Sequence, residues 1–90
     1  MAKVRLYEDI EFGGHEKVLT KSDKNLSERF WWDFNDELSS FIVESGHAQF
    51  FSNSNYGGVA SRVFNAGEKV HWVEAVGITN DSVSSVHLWG

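Results

Sequence analysis

The stretch Tyr7-Glu8-Asp9-Ile10-Glu11-Phe12-Gly13-Gly14 returns as Phe51-Ser52-Asn53-Ser54-Asn55-Tyr56-Gly57-Gly58, with its aromatic residues and glycines moved by 44 positions. A second phrase lies downstream of each copy, NDELSS at residues 35–40 and NDSVSS at residues 80–85, and these copies are 45 apart. The sequence therefore reads as a tandem duplication with one residue added in the second copy. The repeated residues are oxygen-bearing side chains and glycines with a permissive backbone, so a possible ligand set is repeated along with a scaffold. That combination points to a pair of hard-cation sites.

Ninety residues bound one small domain, so two repeats must be two halves of a single core. A hydrophobic fraction of 41% with 14% aromatics is that of a globular chain, and no stretch approaches the roughly 18 apolar residues of a membrane span. Residues 1–3 lead directly into an alternating segment, without the apolar run of a secretory signal. Zero cysteines exclude a disulfide framework, a thiolate zinc cluster and a cysteine nucleophile, and leave the compartment open. A net charge of −5 argues against a nucleic-acid partner and favours cations.

Alternation places Val4 and Leu6 on one face of a first strand over residues 3–8, and Ala48 and Phe50 on the matching face over 47–52. Each is followed by an aromatic and a Gly-Gly pair, the chemistry of a hairpin that needs positive φ and room for a ring to lie over it. Second strands are expected near residues 15–20 and 59–65. In the closing strands, Phe41 and Val43 should face the core as Val86 and Leu88 do. Residues 21–34 and 66–79 have weak periodicity, which predicts a short third strand and a helical turn in each, with Trp31, Trp32 and Trp72 capping the core. Residues 44–46 join the halves and are too few for a flexible linker. The expected fold is all-β: two Greek-key motifs, residues 2–45 and 46–90, forming one β-sandwich of two four-stranded antiparallel sheets over residues 1–90.

The pattern aromatic-x-x-x-x-aromatic-x-Gly, carried by Tyr7, Phe12 and Gly14 and again by Phe51, Tyr56 and Gly58, resembles the Greek-key signature of βγ-crystallins. NDELSS and NDSVSS are similar to that family's calcium-binding consensus, Asn/Asp-Asn/Asp-x-x-Ser/Thr-Ser. The resemblance covers nearly the whole chain and is nearest to single-domain, calcium-binding members from microbes and urochordates.

The resemblance implies two Ca²⁺ ions per chain. Asp36 and Asp81 would each supply a carboxylate oxygen, Ser39 and Ser84 a hydroxyl, and Glu37 and Ser82 a backbone carbonyl. A further carbonyl would come from each folded hairpin, at Ile10 and Ser54, so that each site combines groups from both motifs. Asn35 and Asn80 would brace the loops, while Ser40 and Ser85 satisfy backbone groups at the strand entrance. Calcium accepts such a mixture because it takes six to eight hard oxygens in forgiving geometry. With one carboxylate per site, dissociation constants of about 10⁻⁶ to 10⁻⁴ M are expected.

His15, His47, His71 and His87 lack the spacing of a zinc motif and read as surface residues. No G-x-S-x-G elbow, P-loop, dinucleotide fingerprint or EF-hand loop occurs, so the expectation is a non-enzymatic module. It would act as a monomer or as part of a larger protein. A calcium-dependent, lectin-like module is the alternative, in which Trp31, Trp32 or Trp89 would stack on sugars.

Overall fold

The computed structural model describes residues 1–25, 38–78 and 83–90. Among these residues, eight strands run in the order β1 Lys3–Tyr7, β2 Glu16–Leu19, β3 Ser40–Ser45, β4 His47–Asn53, β5 Gly57–Ala60, β6 Phe64–Asn65, β7 Lys69–Val70 and β8 Ser85–Trp89. They form two antiparallel sheets. One has the order β2-β1-β3-β7; in the other, β4 pairs with β5 and β6 along one side and with β8. The alternation read from the sequence is realised, since Val4, Leu6, Phe41, Val43, Ala48, Phe50, Val86 and Leu88 are all buried.

The two sheets are interlocked. Phe41 and Ile42 of β3 pair with Val70 and Lys69 of β7, so the third strand of the second half joins the first half's sheet. Reciprocally, Asp23 bridges Val86, with backbone bonds of 2.9 and 3.0 Å in the two directions. Each half thus lends its third segment to the other, which is why the long connections cannot be simple hairpins. Ser22 reinforces the second crossing, its hydroxyl donating to the Leu88 carbonyl and accepting from the Leu88 N–H.

The sheets close on three rings. Phe41 lies 4.5 Å from Phe50 and 4.9 Å from Phe64, centroid to centroid, which joins β3 of one sheet to β4 and β6 of the other. Offset and edge-on contacts of this kind add to the stabilisation from apolar burial. Trp72 packs partly buried against this core, as expected, whereas Trp31 and Trp32 lie outside the described residues.

Pairing locates the extra residue of the second half. Tyr7↔Glu16 recurs as Phe51↔Ala60, both offset by 44, but Val4↔Leu19 recurs as Ala48↔Phe64, where the second partner is offset by 45. The insertion therefore falls between Ala60 and Phe64, where the edge strand splits into β5 and β6. Ser61 holds that bulge: its N–H donates to the Phe50 carbonyl at 2.8 Å and its hydroxyl accepts from the Phe50 N–H at 2.9 Å. The second strand of this half, expected as one run, is interrupted for that reason.

Outward faces differ. On the first sheet, Arg5 pairs with Glu44 and with Glu16, and Lys3 with Glu44. The Arg5 guanidinium, first by its hydrogen bond, holds the Glu44 carboxyl below its ordinary value. Pairs this exposed add little stability but keep the face charged and soluble. On the second sheet, His47 and His87 stack against Trp89 at 5.5 and 4.8 Å.

The buried hydroxyls of Ser40 and Ser85 each carry two hydrogen bonds to backbone. Ser40→Ala or Ser85→Ala should therefore cost about 1–3 kcal/mol, a fall in Tm of roughly 5–20 °C in a domain this small. Ser45→Ala, which removes one exposed contact to the Met1 carbonyl, should change little. Thermal unfolding in chelator checks all three.

Candidate metal centre

Two corners of the sandwich are built alike. At the first, β1 ends in a 3-10 turn, Ile10–Phe12, and at the second β4 ends in Ser54–Tyr56. The turns are folded back by left-handed residues: Glu11 (φ 56°), Phe12 (φ 61°), Asn55 (φ 57°) and Tyr56 (φ 58°). L-residues other than Asn and Asp adopt this region at a cost of roughly 1–2 kcal/mol each, so something must hold them there. The sequence placed positive φ on the glycines. Gly14 and Gly58 do carry it, at 74° and 73°, but the preceding non-glycine pair does so too. Asn55 is the only one of the four with a composition signal for it.

Three contacts hold each turn. Phe12 N–H donates to Ser40 Oγ at 3.0 Å, and Ser40 Oγ donates to the Asp9 carbonyl at 2.6 Å. Tyr56 N–H, Ser85 Oγ and the Asn53 carbonyl repeat this at 3.1 and 2.6 Å. Edge-on ring pairs cover the turns, Tyr7 with Phe12 at 5.7 Å and Phe51 with Tyr56 at 5.6 Å. The third contact comes from the other half: Glu11 N–H donates to the His71 carbonyl at 3.0 Å, and Asn55 N–H to the Lys24 carbonyl at 2.7 Å. Neither carbonyl acceptor was visible in the sequence, because backbone acceptors leave no compositional mark.

Four of the candidate ligands, Ile10, Ser39, Ser54 and Ser84, fall at these corners. Ser39 N–H donates to the Tyr7 carbonyl at 3.0 Å and Ser84 N–H to the Phe51 carbonyl at 2.9 Å, which fixes each serine beside the turn of its own motif. Ser39 is buried and also accepts the Val73 N–H through its carbonyl at 2.9 Å; Ser84 is half-buried. Ile10 and Ser54 open the two turns, and their carbonyls accept the Gly13 and Gly57 N–H groups. A carbonyl oxygen has two lone pairs, so a turn bond leaves capacity to ligate a cation. Ile10 is 52% exposed, which leaves the first turn accessible from solvent. Asp36, Glu37, Asp81 and Ser82, with Asn35 and Asn80, lie outside the described residues.

The candidate donors described at these corners are carbonyl and hydroxyl oxygens, which suit a hard cation and not a soft one. Among the described residues no group of three or more His, Cys, Asp or Glu side chains could hold a metal. His15 and His71 instead face Glu8 and Glu11 at 3.2 and 3.5 Å. Trp89 is half-buried between its histidine neighbours. Burial pushes the Tyr7 phenol up from its ordinary value, with a hydrogen bond to Glu16 adding to the effect.

The Beta/Gamma crystallin family model matches residues 3–88. The chain belongs to the βγ-crystallin family. A βγ-crystallin of Ciona intestinalis is 41% identical to it over 58 residues, which are 64% of this chain and 66% of that relative. A solved βγ-crystallin structure from the same organism is 32% identical, with a TM-score of 0.84 over 97% of this chain and 99% of its own. An archaeal βγ-crystallin is 31% identical, with a TM-score of 0.81 over 98% of both chains. Among the described residues no helix of this βγ-crystallin is long and apolar enough to cross a membrane, which says nothing of strands.

Gly58 tests the corner geometry. A Cβ there would run into Ser52 Oγ and lie 2.8 Å from Asn53 Cγ, on a backbone at φ +73°. Gly58→Ala should lower Tm clearly, as should Gly14→Ala, whereas Gly67→Ala should cost less, because it has the same hand of φ but no atom within 4 Å. Parallel melting curves for the three variants measure the difference.

Proposed function

We propose that this chain is a calcium-binding structural module that holds two Ca²⁺ ions, one at each corner, and is stabilised by them. The observation that supports it most is the strained turn itself. Four non-glycine residues are kept left-handed by serine hydroxyls and by carbonyls of the opposite half, and backbone strain of this sort gathers at ligand clamps. In this reading the turns carry the Ile10 and Ser54 carbonyls, while Asp36 and Asp81 supply carboxylates and Ser39 and Ser84 hydroxyls. Glu37 and Ser82 contribute only carbonyls.

These residues fit the ion on chemical grounds. Neutral oxygens with one carboxylate per site satisfy calcium's loose geometry and serve poorly the near-ideal octahedron that magnesium demands. The ion would add positive charge where His71 and Lys24 already tie one half to the other, so each corner would clamp both motifs. The role is structural and not catalytic, and the two sites lie in one domain over residues 1–90.

Calorimetric titration of calcium into chelator-treated protein tests this reading. Two ions per chain are expected. Asp36→Ala and Asp81→Ala should each remove or strongly weaken one site, while Glu37→Ala should do little, since its carbonyl is the proposed ligand. Absence of heat at millimolar calcium would sink the reading, and a Glu37→Ala loss equal to that of Asp36→Ala would overturn the ligand assignment.

A further inference from the structure

Among the described residues Asp23 carries the one buried carboxylate, at 6% exposure. It bridges Val86, and residues paired across antiparallel segments put their side chains on the same face, so the carboxylate lies on the core side of the sheet. The matching pair in the other sheet is Phe41 with Val70, apolar on both sides. At this position the fold is therefore content with valine. A carboxylate without a cation partner is costly there, and among the described residues it meets one backbone N–H, that of Asn25, at 3.0 Å.

That N–H shares a planar peptide with the Lys24 carbonyl, and in a trans peptide the two groups point opposite ways. The Lys24 carbonyl accepts the Asn55 N–H at 2.7 Å, and the Asn55 N–H shares its own peptide with the Ser54 carbonyl, a proposed ligand. Two peptides thus run head to tail from the Asp23 carboxylate to the Ser54 oxygen. Hydrogen bonds to a charged acceptor are the stronger ones, and bonds in a chain polarise one another. The first corner has the second link, Glu11 N–H to the His71 carbonyl, but Val70 stands where the carboxylate would be, and the bond is 3.0 Å.

We propose that Asp23 is a positioning residue for the second calcium site: through the Lys24–Asn25 and Ser54–Asn55 peptides it orients the Ser54 carbonyl and enriches its oxygen, without touching the ion. The inference rests on the calcium reading above. Groups that hold a ligand from behind and raise its basicity change metal affinity by roughly 10- to 100-fold when they are replaced. The buried carboxylate is then a device of the second corner, kept at a place where the other half has a core valine.

The test compares the parent chain with Asp23→Val and Asp23→Asn, by amide NMR in chelator and by calorimetric titration of calcium. Asp23→Val copies the other half's core and keeps the backbone bridge to Val86, so Tm in chelator should not fall. Its Asn55 amide proton should still move upfield and exchange faster, with that of Glu11 unchanged, and one of the two calcium sites should weaken about tenfold or more. Asp23→Asn keeps an oxygen on the Asn25 N–H and should recover most of both effects. Should the valine variant fold poorly, Asp23→Ala serves the same comparison. An unchanged Asn55 amide would overturn the proposal, as would two calcium sites of parental affinity in a variant whose Asn55 amide has moved. An asparagine variant as impaired as the valine one would overturn the orienting role, since charge alone would then be at work. A parent chain that gives no calcium heat would refute the calcium reading and with it the effect on the ion, while the Asn55 amide would still decide whether Asp23 holds the turn.

Discussion

The rest of the structure depends on one serine hydroxyl at each corner. Ser40 Oγ accepts from Phe12 N–H and donates to the Asp9 carbonyl, and Ser85 Oγ does the same for Tyr56 and Asn53. Each serine is fully buried and its bonds are part-buried, so its loss would leave those backbone groups without their protein partner. The bond keeps two left-handed residues in place, ties the turn to the first residue of the closing strand, and so decides where that strand begins. It also decides where the Ile10 and Ser54 carbonyls lie, which makes a folding device and a proposed ligand clamp the same object.

Interlocking is the second constraint. Because β7 completes the first half's sheet and Asp23 bridges the second half's closing strand, neither half can finish its own sheet alone. Each turn likewise donates a hydrogen bond to the opposite connection, to the His71 carbonyl and to the Lys24 carbonyl. Damage at one corner should therefore spread to the other half, and most of the core's large rings, Phe41, Phe50 and Phe64, sit where that exchange is made.

Much of this was legible in the sequence, for physical reasons. Period-two alternation identified both first strands and both closing strands, because side chains of a strand point alternately in and out. The aromatic spacing identified the covered turns, and the buried roles of Ser40 and Ser85 followed from their place at a strand entrance. The exchange of third segments was not legible: β7 has two residues and the Asp23 bridge one, too short for any period to register. Nor were Glu11 and Phe12 as left-handed residues, since neither favours that region and only tertiary hydrogen bonds keep them in it. The bulge at Ser61 was implied by the change of offset from 44 to 45, but nothing short of the strand pairing placed it. Of the candidate ligands, Ile10, Ser39, Ser54 and Ser84 fall at the two corners, and their convergence on an ion is part of the proposal.

Strands, turn glycines and aromatic core are all specified without reference to an ion, so the fold should exist before calcium and be strengthened by it. If binding is confined to the folded state, each site adds about 2.7 kcal/mol when free calcium is 100 times its dissociation constant. The most direct measurement is thermal unfolding in chelator and in millimolar calcium, for the parent chain and for Ser84→Arg, which puts a fixed positive charge where the second ion is proposed to bind. The account predicts a cooperative transition in chelator, a rise of several degrees or more with calcium, and a much smaller rise in the variant. A chelated chain without β structure, or a melting temperature that saturating calcium leaves unchanged, would contradict it.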